Sequence, residues 1–180
     1  MLGGFSSMGR IPIVHVDRLM NAASYSIFLE DTVVHYLYAH SGSPEKGLIQ
    51  ENLAPCHTEK ACRATKEPLG IEVLPWVGQS PDMNPIENAW AELERRLRAR
   101  PTAPKTQYEL FNTLQEEWSA IPASYFKELV QSMRRRLAAV VAARGASTKY
   151  YSVSFSGRGR SDLIKIHLRS CGTKWTRIIG

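Results

Sequence analysis

The apolar positions first recur at short, strand-like intervals and then settle into helical ones. "IPIVHV" (11–16) is β-branched and apolar, as a buried strand would be. "SYSIFLEDTVVHYLYAH" (24–40) sets Ile27, Val34, Leu37 and Tyr38 at helical spacing. "GLIQENL" (47–53) and "IEVLPW" (71–76) read as two further strands, with a short helix over 57–67 between them, stopped by Pro68 and Gly70. After a loop at 80–85, Ile86, Trp90, Leu93 and Leu97 predict an amphipathic helix, with Asn84 as its N-cap and Pro85 at its first position. Two more helices are predicted beyond the "RPTAPK" linker, over 106–121 and 123–145, with Gly145 as the last C-cap. Residues 151–180 lose the helical stripe. Strands alternating with helices, followed by a helical tail, point to an α/β domain with a mixed sheet.

Charge sharpens this division. Residues 1–94 hold 6 basic and 12 acidic side chains, whereas residues 95–180 hold 17 basic and 5 acidic. A basic half this pronounced suits a polyanionic partner, nucleic acid first, against the plainer reading of solvated helix faces. Arg134, Arg135 and Arg136 follow one another in a helix and fan across about 200°, so they cannot share one face. At least one is expected to meet solvent or phosphate, with an internal salt bridge as the alternative. "GRGR" (157–160) is a further basic stretch. No apolar run reaches the length of a membrane span, and "MLGGFSSMGR" lacks the apolar core of a secretion signal. An intracellular protein is expected.

Three places carry candidate chemistry. Cys56, His57 and Cys62 are too irregularly spaced for zinc and lack a fourth ligand, so His57 is expected to pack locally. Asp17 has no motif around it and is expected at the surface. Glu87 is the third. An acid in a helix's first turn gains a few tenths of a kcal/mol, up to about 1, from the dipole. On that alone the helix-start role is favoured, although a carboxylate at the edge of an apolar stripe is also a hard oxygen ligand for magnesium or manganese.

Longer stretches separate these readings. "GQSPDMNPIENAWAELERRL" (78–97) closely resembles the S-P-D-L-N-P-I-E-N-x-W signature of Tc/mariner superfamily transposases, which precedes a basic helix. "GGFSSMGRIPIVHVDRLMNAASY" (3–25), "LAPCHTEK" (53–60) and "SMRRRLAAVVAARGASTKY" (132–150) resemble further segments of that family, in its order. The resemblance covers about residues 3–150. It implies a partial ribonuclease-H-like domain over 1–100, a helical tail of the same domain over 101–150, and an extra segment at 151–180.

For function, the resemblance implies DNA cleavage and strand transfer, that is, transposition and integration. In the family three carboxylates hold two Mg²⁺ or Mn²⁺ ions, one for the nucleophile and one for the leaving oxygen. It places the third acid at Glu87 and the second at residue 52, with positions 53–86 between them, the 34-residue spacing of one large branch. Residue 52 is Asn, however, and a neutral amide cannot bridge two cations. Glu51 is no ready substitute, because neighbours on a strand point to opposite faces. The first acid and the helix-turn-helix domains belong upstream of the segment at which this sequence begins. A transposase-derived protein without activity of its own is therefore expected, with Glu87 as the surviving metal ligand. DNA is the expected partner, through Arg95, Arg96, Arg134, Arg135 and Arg136; a homo-oligomer is left open, and no small-molecule cofactor or membrane is expected. The expected place is the nucleus, or the cell interior if the source is bacterial. A non-catalytic DNA-binding or protein-interaction module and a non-functional relic are the alternatives.

Overall fold

A computed structural model of the chain describes residues 1–16, 20–41, 48–51, 54–76, 83–146 and 148–150. The expectations for Asp17, Asn52, "GRGR" and residues 151–180 fall outside these. The described residues form two compact units, one within 1–3 and 11–76, the other within 4–10 and 83–150.

Strands β1 (Leu2–Ser6) and β2 (Gly9–Val14) form a two-stranded sheet, joined by a turn at Ser7 and Met8. The Met8 N–H donates to Ser6 Oγ at 3.0 Å, and Gly9 resumes the strand at φ 139°, a value side chains rarely tolerate. The strand predicted at 11–16 thus begins two residues earlier, as half of a hairpin. Ile11 and Ile13 point inward along it, with Pro12 exposed between them.

In the first unit, helix α1 (Ala22–Phe28) starts at Asn21, whose side chain accepts from the Ser24 N–H at 2.9 Å. It runs through a π turn, Leu29–Val33, into α2 (Val34–Ser41). Across that turn the Val34 N–H reaches back five residues to the Leu29 carbonyl. The extra residue shifts the phase, so the buried face becomes Tyr25, Phe28, Leu29, Val33 and Val34. This corrects the predicted stripe: Ile27 and Tyr38 are exposed, Val34 is buried and Leu37 is partly buried.

Strands β3 (Leu48–Ile49) and β4 (Glu72–Val73) pair in parallel, Leu48 opposite Glu72 and Ile49 opposite Val73. Parallel neighbours need a crossover. It is made by α3 (Pro55–Thr58) and α4 (Lys60–Lys66), which replace the single helix predicted at 57–67. The break falls at Glu59, whose ψ of 149° is extended. Gly70, at φ 63°, then turns the chain so that the Ile71 N–H bonds the Lys66 carbonyl at 3.1 Å. Both α1 and the π turn pack on α4, and their core includes Cys62 and Ile71.

The second unit is helical. α5 (Ile86–Arg98) packs on α6 (Gln107–Ala120), which is capped by the Thr106 side chain accepting from the Glu109 N–H. α7 (Ala123–Ala142) follows Pro122. The core is aromatic. Trp118 stacks on Trp90 with ring centroids 4.9 Å apart, and Phe126 packs edge-on to Trp118 at 5.2 Å and against Phe5 at 5.1 Å. α7 ends with Ala143 as its cap rather than Gly145. Arg144 and Gly145 both turn left-handed beyond it, so that the Gly145 N–H bonds the Val140 carbonyl.

Candidate functional site

Glu87 sits in the first turn of α5, half-buried. The helix begins one residue later than predicted, with Pro85 in the cap position and no side-chain cap bond. Asn84 contributes its backbone instead, its carbonyl accepting from the Glu87 N–H at 3.3 Å. Below this turn Ala89, Trp90, Leu93 and Leu97 are buried, so the predicted stripe holds, with Ile86 half-buried at its top. The stripe sets the rotation of the helix and hence the side from which Glu87 projects.

The next residue is held from α7. The Asn88 side-chain oxygen accepts from Arg136 Nη2 at 2.7 Å, and its backbone carbonyl accepts from the Tyr125 hydroxyl at 3.2 Å. Arg136 also donates through Nε to Ser132 Oγ at 2.9 Å, and its guanidinium lies 5.1 Å from the Tyr150 ring centre. Burial, and then the Glu92 carboxylate, push the Tyr125 phenol above its ordinary range, which keeps it a donor.

The arginines therefore divide. Arg136 is buried at 3% exposure, which corrects its place among the expected phosphate contacts: its guanidinium is spent inside the unit. Arg134 and Arg135 are exposed, and neither forms an ion pair among the described residues. On α5, Arg95 and Arg96 both grip Glu92 at 2.7 Å. These bonds, Arg95 first, hold the Glu92 carboxyl below its usual range. Arg98 pairs with the buried Glu94 at 2.5 Å, and Arg100 ties α5 to Glu116 and Glu117 on α6 at 2.9 and 3.0 Å.

The first unit carries a second polar cluster, just past the end of β3. Glu51 accepts from Lys66 Nζ and from the Tyr25 hydroxyl at 2.6 Å. Lys66 also donates to the His57 carbonyl at 3.0 Å and lies 5.4 Å from the Tyr25 ring centre. His57 packs its ring on Tyr25 of α1, 4.1 Å between centroids, a contact across helices rather than the local packing expected of it. Burial first, and then the Glu51 carboxylate, raise the Tyr25 phenol far beyond neutral pH, so it stays protonated. The Cys62 thiol is buried against the Cys56 and Ala22 carbonyls at 2.8 and 3.3 Å.

This cluster was not read from the sequence. The available signal was spacing: Lys66 lies one turn after Cys62 and shares its inward face. Arg136 carried the same signal, falling in line with Phe126, Leu129 and Ser132.

Among the described residues, the donors beside position 52 offer no uncommitted carboxylate for a divalent ion. Glu51, the described carboxylate next to position 52, already has an ammonium and a phenol on its oxygens. Residue 52 offers a neutral amide. Glu87 is half-buried in the first turn of α5.

Residues 1–110 match the family described as the DDE superfamily endonuclease. The Tc1 transposable element transposase of Caenorhabditis elegans is 36% identical over 152 residues, covering 82% of this chain and 53% of that protein. The Tcb2 transposase of Caenorhabditis briggsae is 34% identical over 148 residues, with the same coverage. The chain thus spans about half the length of the curated relatives it matches. Among solved structures, the catalytic domain of Mos1 mariner transposase superposes with a TM-score of 0.70 at 23% identity, over 82% of this chain and 74% of that one. A Mos1 paired-end complex with the left transposon end gives 0.71 at 23%, over 82% and 44%. The fold is the ribonuclease-H-like α/β fold of that catalytic domain. With the N-P-I-E-N turn, the arginine-bearing α7 and these relatives in agreement, the chain belongs to the DDE superfamily endonucleases, among the Tc/mariner transposases.

Proposed function

We propose that this chain is a transposase-derived protein that binds DNA through α7 and does not itself cut or join it. One observation carries the binding half: Arg134 and Arg135 stand exposed and without ion pairs among the described residues, while the arginines of α5 are taken up by glutamates. Free guanidinium groups on a basic helix suit phosphate oxygens, which accept two parallel N–H bonds. The relatives are named as transposases, and Mos1 has been solved with a transposon end, which supports DNA as the partner. Paired-end complexes of Mos1 likewise support a homo-oligomer on DNA.

The inactive half rests on the donor set. Mos1 structures are described with Mn and with Mg. Here Asn52 lacks charge, and Glu51 is neutralised by Lys66, so Glu87 would hold such an ion weakly.

Fluorescence anisotropy with a duplex of about 25 base pairs tests the binding half. Affinity is expected to fall with salt, each neutralised phosphate contributing a log–log slope of about −0.9. The double variant Arg134→Ala/Arg135→Ala should reduce that slope by about 2. Absence of binding at low salt, or an unchanged slope, contradicts the assignment.

A further inference from the structure

The two signature stretches of the second unit lie 44 residues apart, between Asn88 and Ser132, yet they share one set of side chains. Arg136 is the joint. It reaches from α7 with Nη2 on the Asn88 side-chain oxygen at 2.7 Å and Nε on Ser132 Oγ at 2.9 Å. Ser132 is in turn fixed by donating to the Leu129 carbonyl at 2.6 Å. Tyr125 takes the Asn88 backbone carbonyl from the same helix. The Tyr150 ring covers the guanidinium.

This placement is unusual for an arginine. It is buried at 3% exposure in the line of Phe126, Leu129 and Ser132, where an apolar side chain would pack without desolvating a charge. What it gains is a planar fork with fixed donor directions, able to hold two acceptors on two helices at once. The turn it holds needs that support. α5 has no side-chain cap, and its first turn is closed by bonds of 3.3, 3.1 and 3.4 Å to the Asn84 and Pro85 carbonyls. Glu87 lies in that turn, one residue from Asn88.

We infer that Arg136 is a positioning residue: through Asn88 it clamps the first turn of α5 to α7 and so fixes where the Glu87 carboxylate stands. The run Arg134–Arg136 then has two duties, two exposed arginines turned outward and one turned inward to hold the acid-bearing turn. The clamp lies wholly within the second unit, and it does not rest on the DNA-binding reading.

Residue-resolved amide hydrogen exchange on the full chain tests it. In Arg136→Met, the amides of Asn88, Ala89 and Trp90 should exchange about tenfold faster, the loss expected for one hydrogen bond to a charged group. Asn88→Ala should do the same, and the double variant should add little to either, because both remove one contact. Arg136→Lys should fall between, since an ammonium lacks the fork. Amides in the middle of α6 should keep their protection, and DNA affinity should match the parent. Equal acceleration throughout α6, or additive effects in the double variant, would overturn the clamp. So would a loss of DNA affinity in Arg136→Met as large as that in Arg134→Ala, which would make Arg136 a phosphate contact.

Discussion

Lys66→Met is expected to destabilise the first unit by about 3–5 kcal/mol, the cost of leaving a buried carboxylate without its cation. The side chains of Lys66 and Glu51 are 6% and 8% exposed, so water cannot replace the lost partner. Among the described residues the Tyr25 hydroxyl would be the partner left on Glu51, and it carries no charge. The pair itself is worth far less than its breakage, because burying both ions already costs desolvation. Glu51→Leu/Lys66→Met should therefore recover most of the loss, whereas Glu51→Leu alone should leave a buried ammonium and unfold early. Urea unfolding followed by circular dichroism measures all three variants. A cooperative transition in the parent also counts against a relic chain that folds poorly. If the double variant is no more stable than Lys66→Met, the pair is not what holds this end of β3.

The second large effect lies in the aromatic core. Trp118→Ala should cost about 3–5 kcal/mol, the range for deleting a large buried aromatic. Trp118 is 1% exposed and joins α5, α6 and α7 through Trp90 and Phe126, so the cavity would open where three helices meet. Trp118→Phe should lose much less, because it keeps a ring in contact with Phe126. The denaturant midpoint gives the magnitude. A loss under about 1 kcal/mol would mean that the helices close over the space.

Much of the second unit was legible in the sequence, for physical reasons. Ile86, Trp90, Leu93 and Leu97 repeat at helical spacing without interruption, and α5 forms where they predict. α6 and α7 fall within three residues of their predicted ends, marked by Thr106, Pro122 and Gly145. The first unit was harder. Its long helix contains a π turn at Leu29–Val33, and a pattern read at a constant 3.6-residue period puts Ile27 and Tyr38 on the wrong face. The hairpin turn at Ser7 and Met8 has no Asn-Gly or Asp-Gly signal, and Gly9, which permits it, comes after the turn. Among the described residues, β3 and β4 each take up two positions of the longer runs predicted for them.

The candidate site divides in the same way. Glu87 could be placed in its turn from its loop and helix start, and the role expected of it came from the resemblance of the whole 78–97 stretch. The inward turns of Lys66 and Arg136 were missed because charged side chains are ordinarily assigned to solvent. Their i,i+4 register with Cys62 and Ser132 was the only local sign.

The most direct test of the central claim is nicking of supercoiled plasmid by the purified chain in Mg²⁺ and, separately, Mn²⁺. No relaxed product is expected with either ion, and no difference between the parent and Glu87→Ala. Metal-dependent nicking by the parent that disappears in Glu87→Ala would contradict it, and would mean that Asn52 does not disable this site.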